Sequence, residues 1–157
     1  MHIAGLPLHP LVVHAAVVLT PLAGLLAVVF AVAPRWRYLT RWPTVVLTAA
    51  AFVSVWVSRL SGDSLLNEKP QLRQLVATHE ERGRQLSLLM ILFLVVVVVA
   101  AWALSGASGL TSGRGAREAP AAVLDRVMPA LLVVSAVLVL VWVVLTGDAG
   151  ARSVWGG

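Results

Sequence analysis

The chain contains no cysteine, which excludes disulfides, thiol catalysis, iron–sulfur clusters and covalently attached haem. Charge is scarce too: only 12% of the 157 residues are Asp, Glu, Lys or Arg, against about a quarter in a soluble domain. With 59% hydrophobic residues there is too little polar surface to cover the molecule, so lipid must cover much of it. Lysine occurs once, at Lys69, against many Ala, Val and Arg, a composition that suggests a GC-rich bacterial genome. No HExxH, phosphate-binding glycine loop or Ser–His–Asp constellation is present, which argues against an ordinary hydrolase and leaves no catalytic residue to assign. Thr20-Pro21 reads as a helix bend. The 12 basic and 7 acidic residues give a net charge of +5. The basic residues sit in short loops between apolar runs, with no basic stripe, so nucleic acid is not an expected partner.

What is present is four apolar runs, at about 10–33, 43–60, 84–105 and 127–146. Crossing the hydrocarbon layer takes about 20 helical residues. In lipid the backbone must satisfy its own hydrogen bonds, so these Val-rich runs are expected as helices rather than strands. The expected fold is all-α: a polytopic membrane protein forming a single four-transmembrane-helix bundle. The second run, with Ser54, Ser58 and small alanines, is expected to pack between neighbours. Ala31-Val32-Ala33 resembles a signal-peptide cleavage site, but no basic residue precedes the run and Pro34 follows it; a retained anchor fits better.

Pro34 to Trp42 carries Arg35, Arg37 and Arg41 and no acid, while Ser61 to Gln85 is long and mixed in charge. Ser105 to Arg126 opens as a Gly/Ser-rich linker, expected to be flexible. No internal repeat is visible. Four spans place both termini and the Ser61–Gln85 loop on one side. Lysine and arginine number six on each side, so the tally does not orient the chain. The unopposed cluster of Arg35, Arg37 and Arg41 in a short loop points that loop to the cytoplasm. The expected location is therefore the bacterial plasma membrane, with both termini extracytoplasmic.

Threaded this way, the unusual residues gather at one membrane face. His9 and His14 open the first helix, Gly62-Asp63 follows the second, His79 and Gly83 precede the third, and Thr146-Gly147-Asp148 closes the fourth. His14 lies about 6 Å below the start of its helix, and an ionisable residue at that depth is expected to face the bundle interior or water. Leu72, Val76, His79, Gly83 and Leu86 share one helical stripe, so the segment after Pro70 is expected to extend the third helix outward, with Gly83 one turn below His79 and space there for a bulky group. The plainer readings are a neutral His14 bonded to a neighbouring helix and an incidental His79 at a solvated helix start.

Inward histidines on different helices suit a b-type haem held by axial imidazoles, with His14, His79 and Gly83 as the candidate cofactor-binding residues. They equally suit a metal such as copper or zinc, with His9, Asp63 and Asp148 as candidate ligands, or a proton relay. One difficulty attends the haem reading: His79 stands about 10 Å above Leu86 by helical rise, while His14 sits below the rim.

The stretch LPLHPLVVHAAVVLTPLAGLL, a Gly-containing break after the second helix, a histidine with a glycine four residues on, and the terminal TGDAGARSVWG together resemble the family catalogued as domain of unknown function 2231. The resemblance covers nearly the whole chain, with HPLVVH as its most specific part. It implies four spans and no established activity, and carries onto His9, Pro10, His14, His79, Gly147 and Gly150. Some members are joined to cytochrome c modules, which favours a redox role. Members often have Gly-His near the C-terminus where this chain has Gly147-Asp148, so a histidine from the fourth helix is not available here. Three functions follow as expectations: haem or metal binding for electron transfer, with a redox partner or a homo-oligomer; an accessory subunit that docks a partner; and a small proton-coupled transporter or sensor, against which the absence of an inverted repeat argues.

Overall fold

The computed structural model describes residues 2–3, 6–104 and 121–155; the Gly/Ser-rich start of the third connection lies outside them. Four long helices account for nearly all of it: α1 (Leu8–Val32), α2 (Arg37–Glu68), α3 (Arg73–Ala103) and α4 (Ala121–Trp155). A two-residue bridge pairs His2–Ile3 with Leu6–Pro7 ahead of α1. Single 3-10 turns, Pro34–Trp36 and Pro70–Leu72, lead into α2 and α3. Proline opens each of these turns, where its fixed φ suits the first helical position and its missing N–H costs nothing. Pro21, Pro43 and Pro129 lie inside helices, as membrane helices tolerate when neighbours support the backbone.

All four helices are long and apolar enough to cross a membrane. They pack as a square, each against its chain neighbours and α1 against α4, so α1 faces α3 only across a diagonal. The buried core is built from Phe30, Phe93, Met90, Leu132 and Val97, with alanines such as Ala23, Ala27, Ala51, Ala100 and Ala136 between them. Small residues let the backbones approach, the main source of helix association where lipid removes the hydrophobic drive. Gly24 is one such point: a Cβ there would meet the Leu140 side chain at 3.0 Å. Outward-facing Val18, Leu25, Val46, Val95, Val137 and Val144 are exposed on the bundle, the apolar coat a lipid environment requires.

One expectation needs correction. The break expected at Gly62 does not occur: α2 continues through Gly62 and Asp63 to Glu68. The outward extension of the third helix after Pro70 is present: α3 starts at Arg73 and runs unbroken into its span, so the Ser61–Gln85 connection is mostly helix. Nothing in Ser61–Glu68 forbids helix, and a lone glycine costs only about 1 kcal/mol. Both extensions carry their side chains above the apolar spans, and there the polar residues meet.

Candidate functional site

His9 stands in the first turn of α1, and its ring turns across the bundle end onto α2. Its Nδ1 donates to the Ser58 carbonyl oxygen at 2.8 Å, and Ser61 Oγ lies 3.2 Å from the same nitrogen. Gly62 makes room for it: a Cβ there would stand 3.2 Å from His9 Cε1. On the other hairpin His79 leaves α3 and meets α4 in the same way. Its Nδ1 donates to the Thr146 carbonyl oxygen at 2.9 Å, and a Cβ on Gly150 would stand 3.0 Å from that nitrogen.

The two contacts are one device used twice. In each, a ring N–H reaches the carbonyl of a hydroxyl residue, Ser58 or Thr146, and the residue four positions on, Gly62 or Gly150, has no side chain to block the ring. A helical carbonyl points along the axis toward residue i+4, so a glycine there exposes it to a side-chain donor. No repeat is visible residue by residue in the sequence. The repeat lies in the spacing of carbonyl and glycine.

The rings meet across the diagonal, with centroids 6.5 Å apart and planes 78° to each other. Because each Nδ1 is the donor to a main-chain oxygen, the neutral ring carries its lone pair on Nε2. Burial lowers the pKa of His9 below the ordinary 6.5; its bond to Ser58 opposes the shift and the neighbouring His79 adds to it. A lowered pKa keeps that lone pair available at neutral pH.

The surroundings are polar and tied down. Arg82 donates to the Leu145 carbonyl oxygen at 2.7 Å, so two successive carbonyls of α4 accept from α3. Its guanidinium also lies 3.9 Å from Asp148, which accepts from Arg152 at 3.0 Å. One turn deeper Trp142 Nε1 donates to Gln85 at 2.9 Å. Gly83, by contrast, borders open space: an added Cβ would meet nothing within 4 Å.

Of the residues singled out in the sequence, His9, His79, Gly62 and Gly150 come together here. His14 does not join them. The sequence expects it to face the bundle interior or water, and the structure leaves it exposed on α1, away from His79. The reason is helical geometry: five residues at about 100° each rotate it some 140° from His9 and sink it about 7.5 Å. The ring beside His79 is that of His9, which also removes the difference in height that a pairing with His14 would have faced. Asp63 is exposed on α2, and Asp148 is engaged by arginines. Among the described residues no group of three or more His, Asp or Glu is placed to hold a metal ion. Sequence reading missed the parts played by Ser58, Ser61 and Arg82; the matching Ser58–Gly62 and Thr146–Gly150 spacing is a signal that points to Ser58 and Thr146.

No curated protein and no solved structure matches the chain. The family model described as a predicted membrane protein, DUF2231, matches residues 5–157; the four apolar helices agree with that description, and the chain belongs to the DUF2231 family.

Proposed function

We propose that this membrane protein holds a redox metal centre between His9 and His79, with haem b as the group that best suits the residues, and that it serves electron transfer. The observation that carries the reading is the paired Nδ1–H bonds to the Ser58 and Thr146 carbonyls. Metal-binding histidines commonly donate their other ring N–H to a main-chain carbonyl, which fixes the tautomer and aims the ring.

The donor set favours a centre that asks the protein for two ligands. With ring centres 6.5 Å apart, His9 and His79 are the two residues that would hold a metal lying between them. Zinc, which takes three or four protein ligands, is a poor match because no third donor is grouped with the pair among the described residues. A haem brings four ligands of its own and supplies one-electron chemistry when bound. The open side at Gly83, one turn below His79, suits a bulky group. The chain's part is to hold both rings at one spacing, keep Nε2 unprotonated, and screen the pair with the Arg82 and Trp142 bonds. The cluster of Arg35, Arg37 and Arg41 at the opposite end of the bundle supports an extracytoplasmic position for the site in a bacterial plasma membrane, where a soluble or membrane-bound electron carrier would meet it.

The test is a titration of detergent-purified protein with haemin. Saturation at one equivalent with a sharp low-spin Soret band supports the reading. Absorbance that rises without saturating, as for haem dissolved in detergent, overturns it.

A further inference from the structure

Among the described residues five threonines are buried in the bundle, and they divide sharply. Thr40, Thr44 and Thr146 return their hydroxyls to the carbonyl four residues back, on Trp36, Thr40 and Trp142, at 3.0, 2.7 and 2.7 Å. That is the usual way to satisfy a hydroxyl inside a helix. Thr20 and Thr48 are both 0% exposed, and the hydroxyl of each has no hydrogen-bond partner among the described residues. A buried hydroxyl left unpaired costs free energy. Two in one small protein, with three neighbours of the same type satisfied, call for an explanation.

Their heights coincide. Thr20 lies eleven residues past His9, three full turns and about 16 Å down α1 on the same face. Thr48 lies a similar distance down α2 from Ser58 and Ser61, the residues His9 contacts. From the other end, α1 finishes at Val32 and α2 starts at Arg37, which again sets Thr20 and Thr48 level. Both belong to the inward stripes of adjacent antiparallel helices, near the middle of the spans. Ala16 and Ala23 flank Thr20, and Ala51 follows Thr48, all buried.

We infer that Thr20 and Thr48 form a water-binding site in the middle of the membrane, between α1 and α2. A metal cation is the wrong occupant, since calcium or magnesium needs about six or more oxygen ligands. A buried water needs two to four polar partners, and the two hydroxyls provide two. Such a water pins the first hairpin at its centre, as the His9–Ser58 bond pins its end, and it stands independently of any group bound by the histidines.

The test uses the full chain in detergent, with valine as a threonine of equal shape and no hydroxyl. A bridged site predicts that Thr20→Val and Thr48→Val each lower the unfolding midpoint, because each leaves the water and the other hydroxyl short of a partner. The double variant should then be no worse than the worse single. Wild type should also show an infrared O–H band that shifts in H2(18)O and is missing from both singles, while Thr20→Ser keeps it. Singles that raise the midpoint additively, or a wild type without the isotope-sensitive band, would overturn the inference.

Discussion

Replacing Gly150 by alanine tests the fit of the histidine pair with a single methyl group. The new Cβ would lie 3.0 Å from His79 Nδ1 and 3.1 Å from Cε1, while comfortable contacts begin at about 3.5 Å. Both near atoms belong to a ring held by its bond to Thr146, so relief requires the ring to retreat by about half an ångström. That stretches the Nδ1–O distance from 2.9 Å to about 3.4 Å, past the range of a sound hydrogen bond. Losing the bond and stranding a part-buried carbonyl costs about 1–3 kcal/mol, offset by about 1 kcal/mol of helix propensity gained over glycine. Gly147→Ala is the internal control. It lies on the same helix, is exposed, and its Cβ would meet nothing within 4 Å, so it keeps the propensity gain without the clash. Unfolding midpoints of the two variants in detergent should therefore differ by the equivalent of about 1–3 kcal/mol, with Gly147→Ala the more stable. Any ligand held by His79 should bind about 10–100-fold more weakly in Gly150→Ala. Equal stabilisation of both variants would show that His79 does not pack on Gly150, and the site geometry would fall with it.

Further predictions follow from the same contacts. Gly62→Ala should act on His9 as Gly150→Ala acts on His79, though more mildly, because its closest approach is 3.2 Å; nitrogen NMR of the two rings should show one tautomer disturbed and the other intact. Trp142→Phe removes the bond to Gln85 and should cost about 0.5–1.5 kcal/mol, read as a lower unfolding midpoint. The pH dependence has a definite sign. The pKa of His9 is lowered in the fold from the ordinary 6.5, so the unfolded chain takes up its proton first. Stability should be level above that value and fall as pH drops through it toward the lowered folded value; His9→Gln should flatten the profile, and a midpoint that rises on acidification would contradict the assignment.

The four spans were legible because lipid imposes a length and a composition that 157 residues with 12% charge satisfy in only one way. The gathering of polar residues at one end was legible too, since an even number of spans returns the chain to the same face each time. The partner of His79 was not. Choosing between His9 and His14 turns on a rotation of about 140° and on where α1 starts, and hydropathy is blind to both in a helix apolar on all sides. The continuation of α2 through Gly62 was hidden for a related reason: glycine and aspartate read as a break, but here the glycine admits a ring. The spacing Ser58–Gly62 and Thr146–Gly150 is plain in the sequence, and it acquires meaning only when a histidine is seen on each carbonyl.

The most direct test is the optical spectrum of the reduced, haem-loaded protein in four forms: wild type, His9→Ala, His14→Ala and His79→Ala. Sharp α and β bands are expected in wild type and in His14→Ala, and their loss in both His9→Ala and His79→Ala. Bands that survive the loss of His9 and vanish with His14, or a wild type that stays colourless when haem is supplied, would contradict a haem held by His9 and His79.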